Sequence, residues 1–292
     1  MWLLVINSHA GKGKAVEQAS EFAELLVKEG IKFEIINEIT FDKTVEQLRS
    51  KLESNEFTRV IAAGGDGLVN LCLQYVANTG VSLGVLPSGT GNDFARSTGV
   101  YNLNIKEIFN LYVKTSPAQI DLGRVKGINA EKWFVQVLST GFDAEVNALA
   151  NLMKWPRGKS RYTIATIRAI ANFKPLVYKI NIDGVIYDQQ AMLLAIANGE
   201  TYGGGMKICP GASNSDGAFD ILLVKPVSRF VLLTIFPKVF SGKHITHSKI
   251  LNFKGKNIKI SAPTVSFADG EFVSDLPIEI SNISNSLNTW LA

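Results

Sequence analysis

The sequence predicts an α/β domain built on a parallel sheet, followed by an antiparallel β-sandwich. Three observations carry this. Over residues 1–118 short apolar runs alternate with stretches of helical periodicity, the grammar of β-α units joined by right-handed crossovers. From Gln119 onward apolar runs follow one another with only turns between them, and Asp183-Gly184 separates two alternating runs as a hairpin signal. Two runs of the first part lead straight into glycine-rich turns, Gly64-Gly65-Asp66-Gly67 and Ser88-Gly89-Thr90-Gly91-Asn92-Asp93. The expected domains are residues 1–118, completed by a return of about 283–292, and residues 119–282.

Composition bounds the function. With 292 residues, 46% hydrophobic and 19% charged, the chain can bury a sizeable core and is not a disordered one. A formal charge of +4 is too small to indicate nucleic acid, but it suits an anionic ligand. Cys72 and Cys209 lack metal spacing and are expected as reduced thiols in a cytoplasmic protein. The opening Met1-Trp-Leu-Leu-Val-Ile lacks the basic start and the length of a signal sequence. No window of about 18 apolar residues exists, so no transmembrane segment is expected.

In order, the first strand is expected over Trp2–Ile6, followed by Asn7-Ser-His-Ala-Gly11-Lys12-Gly13-Lys14 and an amphipathic helix over 15–29. Lys12 either reaches a phosphate or is a solvated loop charge. A strand over 32–36 precedes Thr40, a good cap for a helix over 42–52. A strand over 60–63, a helix over 68–77 and a strand over 81–86 complete the parallel run. Glycines let backbone N–H groups approach a ligand closely, and turn amides beside a helix N-terminus favour phosphate. Asp66 inside such a turn makes sense if a divalent metal accompanies the phosphate. Two such turns, one βα unit apart at the carboxyl ends of strands, point to a nucleotide site. Asp93 and Arg96 stand one helical turn apart, which by itself reads as a surface ion pair.

In the second part strands are expected over 119–125, 133–139, 177–182, 192–197, 218–224, 257–261, 265–268 and 277–280. Asp216-Gly217 and Asp269-Gly270 read locally as turns. Arg157, Lys159 and Arg161 form a basic helical stretch whose plainest reading is a solvated face. Residues 227–240 form an apolar helical stretch broken by Arg229 and Pro237, suited to packing on the core or dipping into an interface.

Together these runs resemble the diacylglycerol kinase catalytic-domain family, which includes soluble bacterial lipid kinases and the sphingosine and ceramide kinases. The resemblance rests on Gly64 to Gly67, Pro87 to Ala95, Gly141-Phe142-Asp143-Ala144, Gly203 to Asp220 and Phe267-Ala-Asp269-Gly270-Glu271, and so covers nearly the whole chain. It implies a Rossmann-like domain of the NAD kinase and diacylglycerol kinase type plus the β-sandwich. It also implies transfer of the γ-phosphate of ATP, with Mg2+, to a lipid hydroxyl, diacylglycerol-like, by a cytoplasmic protein peripheral to the membrane. A homodimer is left open, and nucleic acid is not expected.

The resemblance also assigns residues. Asp269 becomes the general base, and Asp66 the second catalytic acid, orienting metal and phosphates. Asn7, Lys12, Thr40, Gly64, Gly65, Gly67, Asn70, Thr90, Gly91, Asn92 and Glu271 fall to the nucleotide. Asp93, Arg96, Asp121 and Arg161 form a charge network, and Asp143 and Glu145 lie on the lipid side. Ser213, Asp216 and Ala218 would hold a structural Mg2+. On this view Asp269→Ala abolishes transfer and leaves folding nearly intact. Three positions depart from the family pattern: Ser8 replaces a proline, Leu68 a threonine and Leu71 a glutamate. The rival readings are an NAD kinase, or a lipid- or nucleotide-binding protein without catalysis.

Overall fold

Trp2–Ile6 (β1) is buried at every position because both faces of its sheet are covered. It pairs in parallel with β2 (Phe33–Ile36) and β3 (Arg59–Gly64). β3 pairs in parallel with β4 (Ser82–Pro87), from Arg59↔Ser82 to Gly64↔Pro87. Crossovers are made by α1 (Lys14–Lys28), α2 (Phe41–Glu53) and α3 (Asp66–Val76). In α1 the buried residues Ala15, Ala19, Phe22 and Leu26 recur at helical spacing and form one stripe. The short α4 (Asp93–Ser97) leaves the second glycine-rich turn. A helix not expected from the sequence, α5 (Ile105–Lys114), is started by a capping box of Asn104 and Glu107.

The computed structural model describes residues 1–128, 130–153, 164–165, 168–169 and 173–292. They form two units, Met1–Leu122 with Ser284–Ala292, and Gly123–Ile283. The C-terminal residues belong to the first unit through specific bonds. Asn288 of β18 (Ile278–Thr289) pairs in parallel with Ser82, Thr289 Oγ1 donates to Leu83 O at 2.7 Å, and Trp290 Nε1 donates to Thr115 O at 3.2 Å.

The second unit is a sandwich. One sheet runs β14 (Ile250–Gly255), β13 (Phe219–Val224), β10 (Leu193–Ala197), β7 (Val137–Gly141), β16 (Val265–Ala268) and β17 (Glu271–Asp275), with antiparallel neighbours throughout. The other runs from the first half of β18 through β15 (Asn257–Ser261) and β8 (Leu176–Ile182) to β9 (Val185–Ala191), also antiparallel. β5 (Ala118–Lys126) pairs with β6 (Glu131–Phe134). Leu138, Leu194, Ile196 and Ile221 meet Tyr178, Ile180, Ile258 and Ile278 in one buried core. The short strands β11 (Thr201–Tyr202) and β12 (Met206–Lys207) pair with each other. Asp183 and Gly184, at φ 48° and 94°, make the turn between β8 and β9.

One expectation is corrected. The run over 133–139 is not one strand; it splits into β6 and β7 because the amides of Val135, Gln136 and Val137 turn onto a carboxylate described below. The apolar helical stretch expected over 227–240 is α7 (Arg229–Val239), which runs through Pro237. Near the last turn a proline removes a single backbone bond, and Ser228 secures the other end by accepting the Val231 N–H at 3.3 Å. The remaining helix, α6 (Phe142–Leu152), follows β7.

Candidate active site

The turns that leave β1, β3 and β4 converge in the first unit. Ser88 N donates to Gly64 O at 2.9 Å, and Asn7 N donates to Ala63 O at 3.0 Å. The two glycine-rich turns touch backbone to backbone: a Cβ on Gly89 would lie 2.4 Å from Gly65 Cα, and one on Gly11 would lie 2.5 Å from Ser88 O. No side chain fits there, which leaves peptide groups as the lining. Asn92 closes the second turn with its own amide, accepting from Gly89 N and donating to Gly89 O, each at 2.9 Å. Its φ of 55° is left-handed backbone, which asparagine tolerates.

Asp66 joins the two turns. Its Oδ1 accepts the N–H of Asp93 at 2.7 Å and of Phe94 at 3.3 Å, capping α4. Burial raises the Asp66 carboxyl pKa, and the amides of Phe94, Asp93 and Asn92 oppose that rise. Asn70 is buried one helical turn after Asp66, and Gln74 Nε2 donates to its carbonyl at 3.1 Å. Leu68 and Leu71 are both buried, so the two departures on α3 are core residues. Lys12, Thr90 and Gly67 are exposed. Thr40 is exposed too and caps α2, accepting from Lys43 N at 3.5 Å. Arg96 donates from Nε to Gly91 O at 3.2 Å, and its guanidinium lies 3.6 Å from the centre of the Tyr101 ring. Asp121 is buried and accepts the Asn285 N–H at 2.9 Å.

In the second unit, Asp269 and Gly270 form the turn between β16 and β17, at φ 49° and 85°. The Asp269 carboxylate is a hub. Oδ2 accepts from Val135 N at 2.8 Å, and Oδ1 accepts from Gln136 N and Val137 N, each at 3.0 Å. The carbonyls of the same segment are held by Asn198, whose Nδ2 donates to Val135 O at 2.9 Å and whose N–H donates to Gln136 O at 2.8 Å. Asn198 is fully buried and receives Asn282 Nδ2 at 3.3 Å. The sequence reading missed Asn198. Its signal was an amide at the end of the apolar run 192–197, where a buried polar group demands partners.

Glu271 is exposed beside this turn. Glu145 lies on α6, half-buried, and burial raises its carboxyl pKa. Asp143 also lies on α6; its side chain, together with Arg157, Lys159 and Arg161, lies outside the described residues.

At the set Ser213, Asp216 and Ala218, expected to hold Mg2+, the carboxylate is engaged by an internal cation. Asp216 Oδ1 accepts the Ala218 N–H at 3.2 Å, and Oδ2 pairs with the Lys254 ammonium at 2.7 Å. Lys254 Nζ also stands 3.7 Å from Asp220 Oδ2. Mg2+ demands near-octahedral oxygen ligands at about 2.0–2.1 Å. Such an ion would have to displace an ammonium that already neutralises these acids. No group of three or more His, Cys, Asp or Glu among the described residues could hold a metal.

Comparison with known proteins covers both units. Residues 1–125 match the family described as "Diacylglycerol kinase catalytic domain", and residues 136–290 match "YegS C-terminal NAD kinase beta sandwich-like domain". A protein named diacylglycerol kinase from Mycobacterium tuberculosis (strain ATCC 25618 / H37Rv) is 36% identical over 285 residues, 96% of this chain and 92% of that one. Another of that name from Bacillus subtilis (strain 168) is 28% identical over 233 residues, 78% of this chain and 76% of the relative. The crystal structure of a diacylglycerol kinase from Bacillus anthracis str. Sterne superposes with a TM-score of 0.73 at 21% identity, covering 100% of this chain and 96% of that one.

Proposed function

The chain belongs to the diacylglycerol kinase catalytic-domain family and is a kinase with a hydroxyl acceptor, and on that premise we propose that it transfers the γ-phosphate of Mg-ATP to the hydroxyl of a diacylglycerol-like lipid. The observation that carries the nucleotide half is the side-chain-free contact of Gly65 with Gly89, set between the ends of β3 and β4. Peptide N–H groups in such turns hold phosphate oxygens without the desolvation cost of a cation. We assign Asn7, Lys12, Thr40, Gly64, Gly65, Gly67, Asn70, Thr90, Gly91, Asn92 and Glu271 to the nucleotide. Lys12 is an exposed cation of the first turn, suited to meet a phosphate. Asp66 fixes one turn to the other and brings a carboxylate to the metal that accompanies the phosphates. Asp93, Arg96, Asp121 and Arg161 are assigned to the charges around it.

Asp269 is assigned to the acceptor hydroxyl. A carboxylate that accepts three backbone N–H bonds is held in one orientation. That makes it a well-oriented acceptor. Phosphoryl transfer through a loose transition state demands orientation of the nucleophile more than early proton removal. Asp269 therefore directs the hydroxyl and takes its proton late, as the new P–O bond forms. Asp143 and Glu145 are assigned to the lipid side.

The test is transfer from radiolabelled ATP, with Mg2+, to a panel of lipids in mixed micelles, with NAD+ as one acceptor. Label in diacylglycerol or another lipid alcohol is expected. Label in NAD+ overturns the reading, and ATP binding without transfer to any acceptor favours a binding protein.

A further inference from the structure

Helix α7 is apolar except at Arg229, Thr234 and Lys238, yet only one side of it is covered. Leu232, Ile235 and Val239 are buried. On the other side Phe230 is 81% exposed, Leu233 51% and Phe240, at the helix end, 54%. At about 100° per residue, Phe230, Leu233 and Pro237 share a stripe about 60° wide, opposite the buried three. Arg229 and Lys238 leave the helix on either side of that stripe, and Lys243 follows it; all three are exposed. Between residues 225 and 250 the chain carries Lys225, Arg229, Lys238, Lys243 and Lys249 and no Asp or Glu. This one segment thus holds a formal +5, against +4 for the whole chain.

We propose that the outer face of α7 docks the protein onto an anionic lipid bilayer, with Phe230, Leu233 and Phe240 entering the headgroup–acyl boundary and Arg229, Lys238 and Lys243 holding lipid phosphates. The proposal rests on the lipid-kinase reading, for which a surface that meets the acceptor in its bilayer is needed. Charge selects the occupant. In a two-fold dimer the same patch would face itself, and the three cations beside it would oppose three. An anionic membrane instead supplies apolar depth and opposite charge together, the pairing that holds interfacial helices. The helix, Arg229–Val239, is far too short to cross a bilayer, which needs about 20 residues. Lys and Arg stems flanking the stripe can lie along the surface with their charges at headgroup level.

The experiment is sedimentation of the full chain with vesicles of phosphatidylcholine alone or mixed with phosphatidylglycerol, in parallel with phosphorylation of a short-chain diacylglycerol dispersed as monomers. Two variants are compared, Phe230→Ser with Leu233→Ser and Phe240→Ser, and Lys238→Glu with Lys243→Glu. The wild type is expected to bind mixed vesicles at least tenfold more tightly than either variant, while all three phosphorylate the monomeric lipid at similar rates. Equal vesicle binding by the apolar variant overturns the proposal. So does a wild-type dimer, formed without vesicles, that the apolar variant dissociates. Vesicle binding through α7 without phosphorylation of any lipid keeps the docking face and removes the kinase reading. Phosphorylation without vesicle binding does the reverse.

Discussion

Asp66 Oδ1 accepts the backbone N–H of Asp93 at 2.7 Å, so the acid of one glycine-rich turn caps the helix that leaves the other. Structure and chemistry can be separated at this residue. Asp66→Ala leaves the N–H groups of Asp93 and Phe94 without an acceptor and should cost about 1–3 kcal/mol, read as a lower urea midpoint. Asp66→Asn keeps an acceptor oxygen, so it should unfold near the wild-type midpoint. Its transfer rate should nevertheless fall by about 10²-fold or more if the charge serves the metal–phosphate unit. An Asn variant as active as wild type would confine Asp66 to capping.

Gly89 has no room for a methyl group. Its Cβ would lie 2.4 Å from Gly65 Cα, backbone that belongs to the opposite turn. Gly89→Ala should push the turns apart, cost about 1–3 kcal/mol and weaken ATP binding at least tenfold by calorimetry. Gly80→Ala is the contrast. Its φ of 83° strains an alanine, but nothing lies within 4 Å of the added Cβ, so ATP affinity should stay at the wild-type value.

For Asp269, the expectation of a catalytic loss without a folding cost is revised by its three amide bonds. Asp269→Ala should abolish transfer and also destabilise the protein by about 2–4 kcal/mol, because three N–H groups lose a charged acceptor. Asp269→Asn presents one oxygen and one NH2, and the NH2 cannot accept, so it should lie between. A variant whose stability is unchanged would show that the amides find other partners. Transfer kinetics with urea unfolding of both variants separates the two effects.

The parallel domain was legible because its signals are local. Trp2–Ile6 is apolar at every position, and the glycine-rich turns follow strands as the spacing suggested. What stayed hidden depends on long-range partners. The break between β6 and β7 is dictated by Asp269, more than a hundred residues away in the chain, and no periodicity in 133–139 announces it. Lys254 is in the same position. No strand was expected over it, and its role appears only when β14 pairs with β13 and sets Lys254 opposite Asp220. Asn198 was legible in principle, as an amide ending an apolar run, but its role appears only with the 135–137 segment in place. Exposure of the outer face of α7 could not be read from a sequence that puts apolar residues on both sides of the helix.

His244 should give stability an acid limb. It is buried, its Nε2 lies 2.9 Å from Ile208 O, and burial holds its pKa below the ordinary value of about 6.5. As pH falls below about 6.5 the unfolded chain binds a proton that the folded one refuses, so stability should decline from there toward the lower folded pKa. Above that pH the contribution is flat. His244→Gln preserves a donor to Ile208 O and should flatten the limb between pH 7.5 and 5.5 in thermal melts, relative to wild type. An unchanged slope would place the limb elsewhere.

Lys254 provides the last prediction, because it stands where an external cation would otherwise be wanted. Its ammonium is 2.7 Å from Asp216 Oδ2 and 3.7 Å from Asp220 Oδ2, and burial already raises the Asp220 carboxyl pKa. The pair is half-exposed, so its direct contribution is small, on the order of 1 kcal/mol or less. Removing it leaves two neighbouring acids with nothing between them. Lys254→Met should therefore lower the melting temperature modestly and make it responsive to millimolar Mg2+, since a hard cation can now take the carboxylates and carbonyls of Ser213 to Ala218. Wild-type melts should be indifferent to both Mg2+ and a chelator in the absence of nucleotide. A wild-type melting temperature that drops on chelation would show that a metal displaces Lys254 from Asp216.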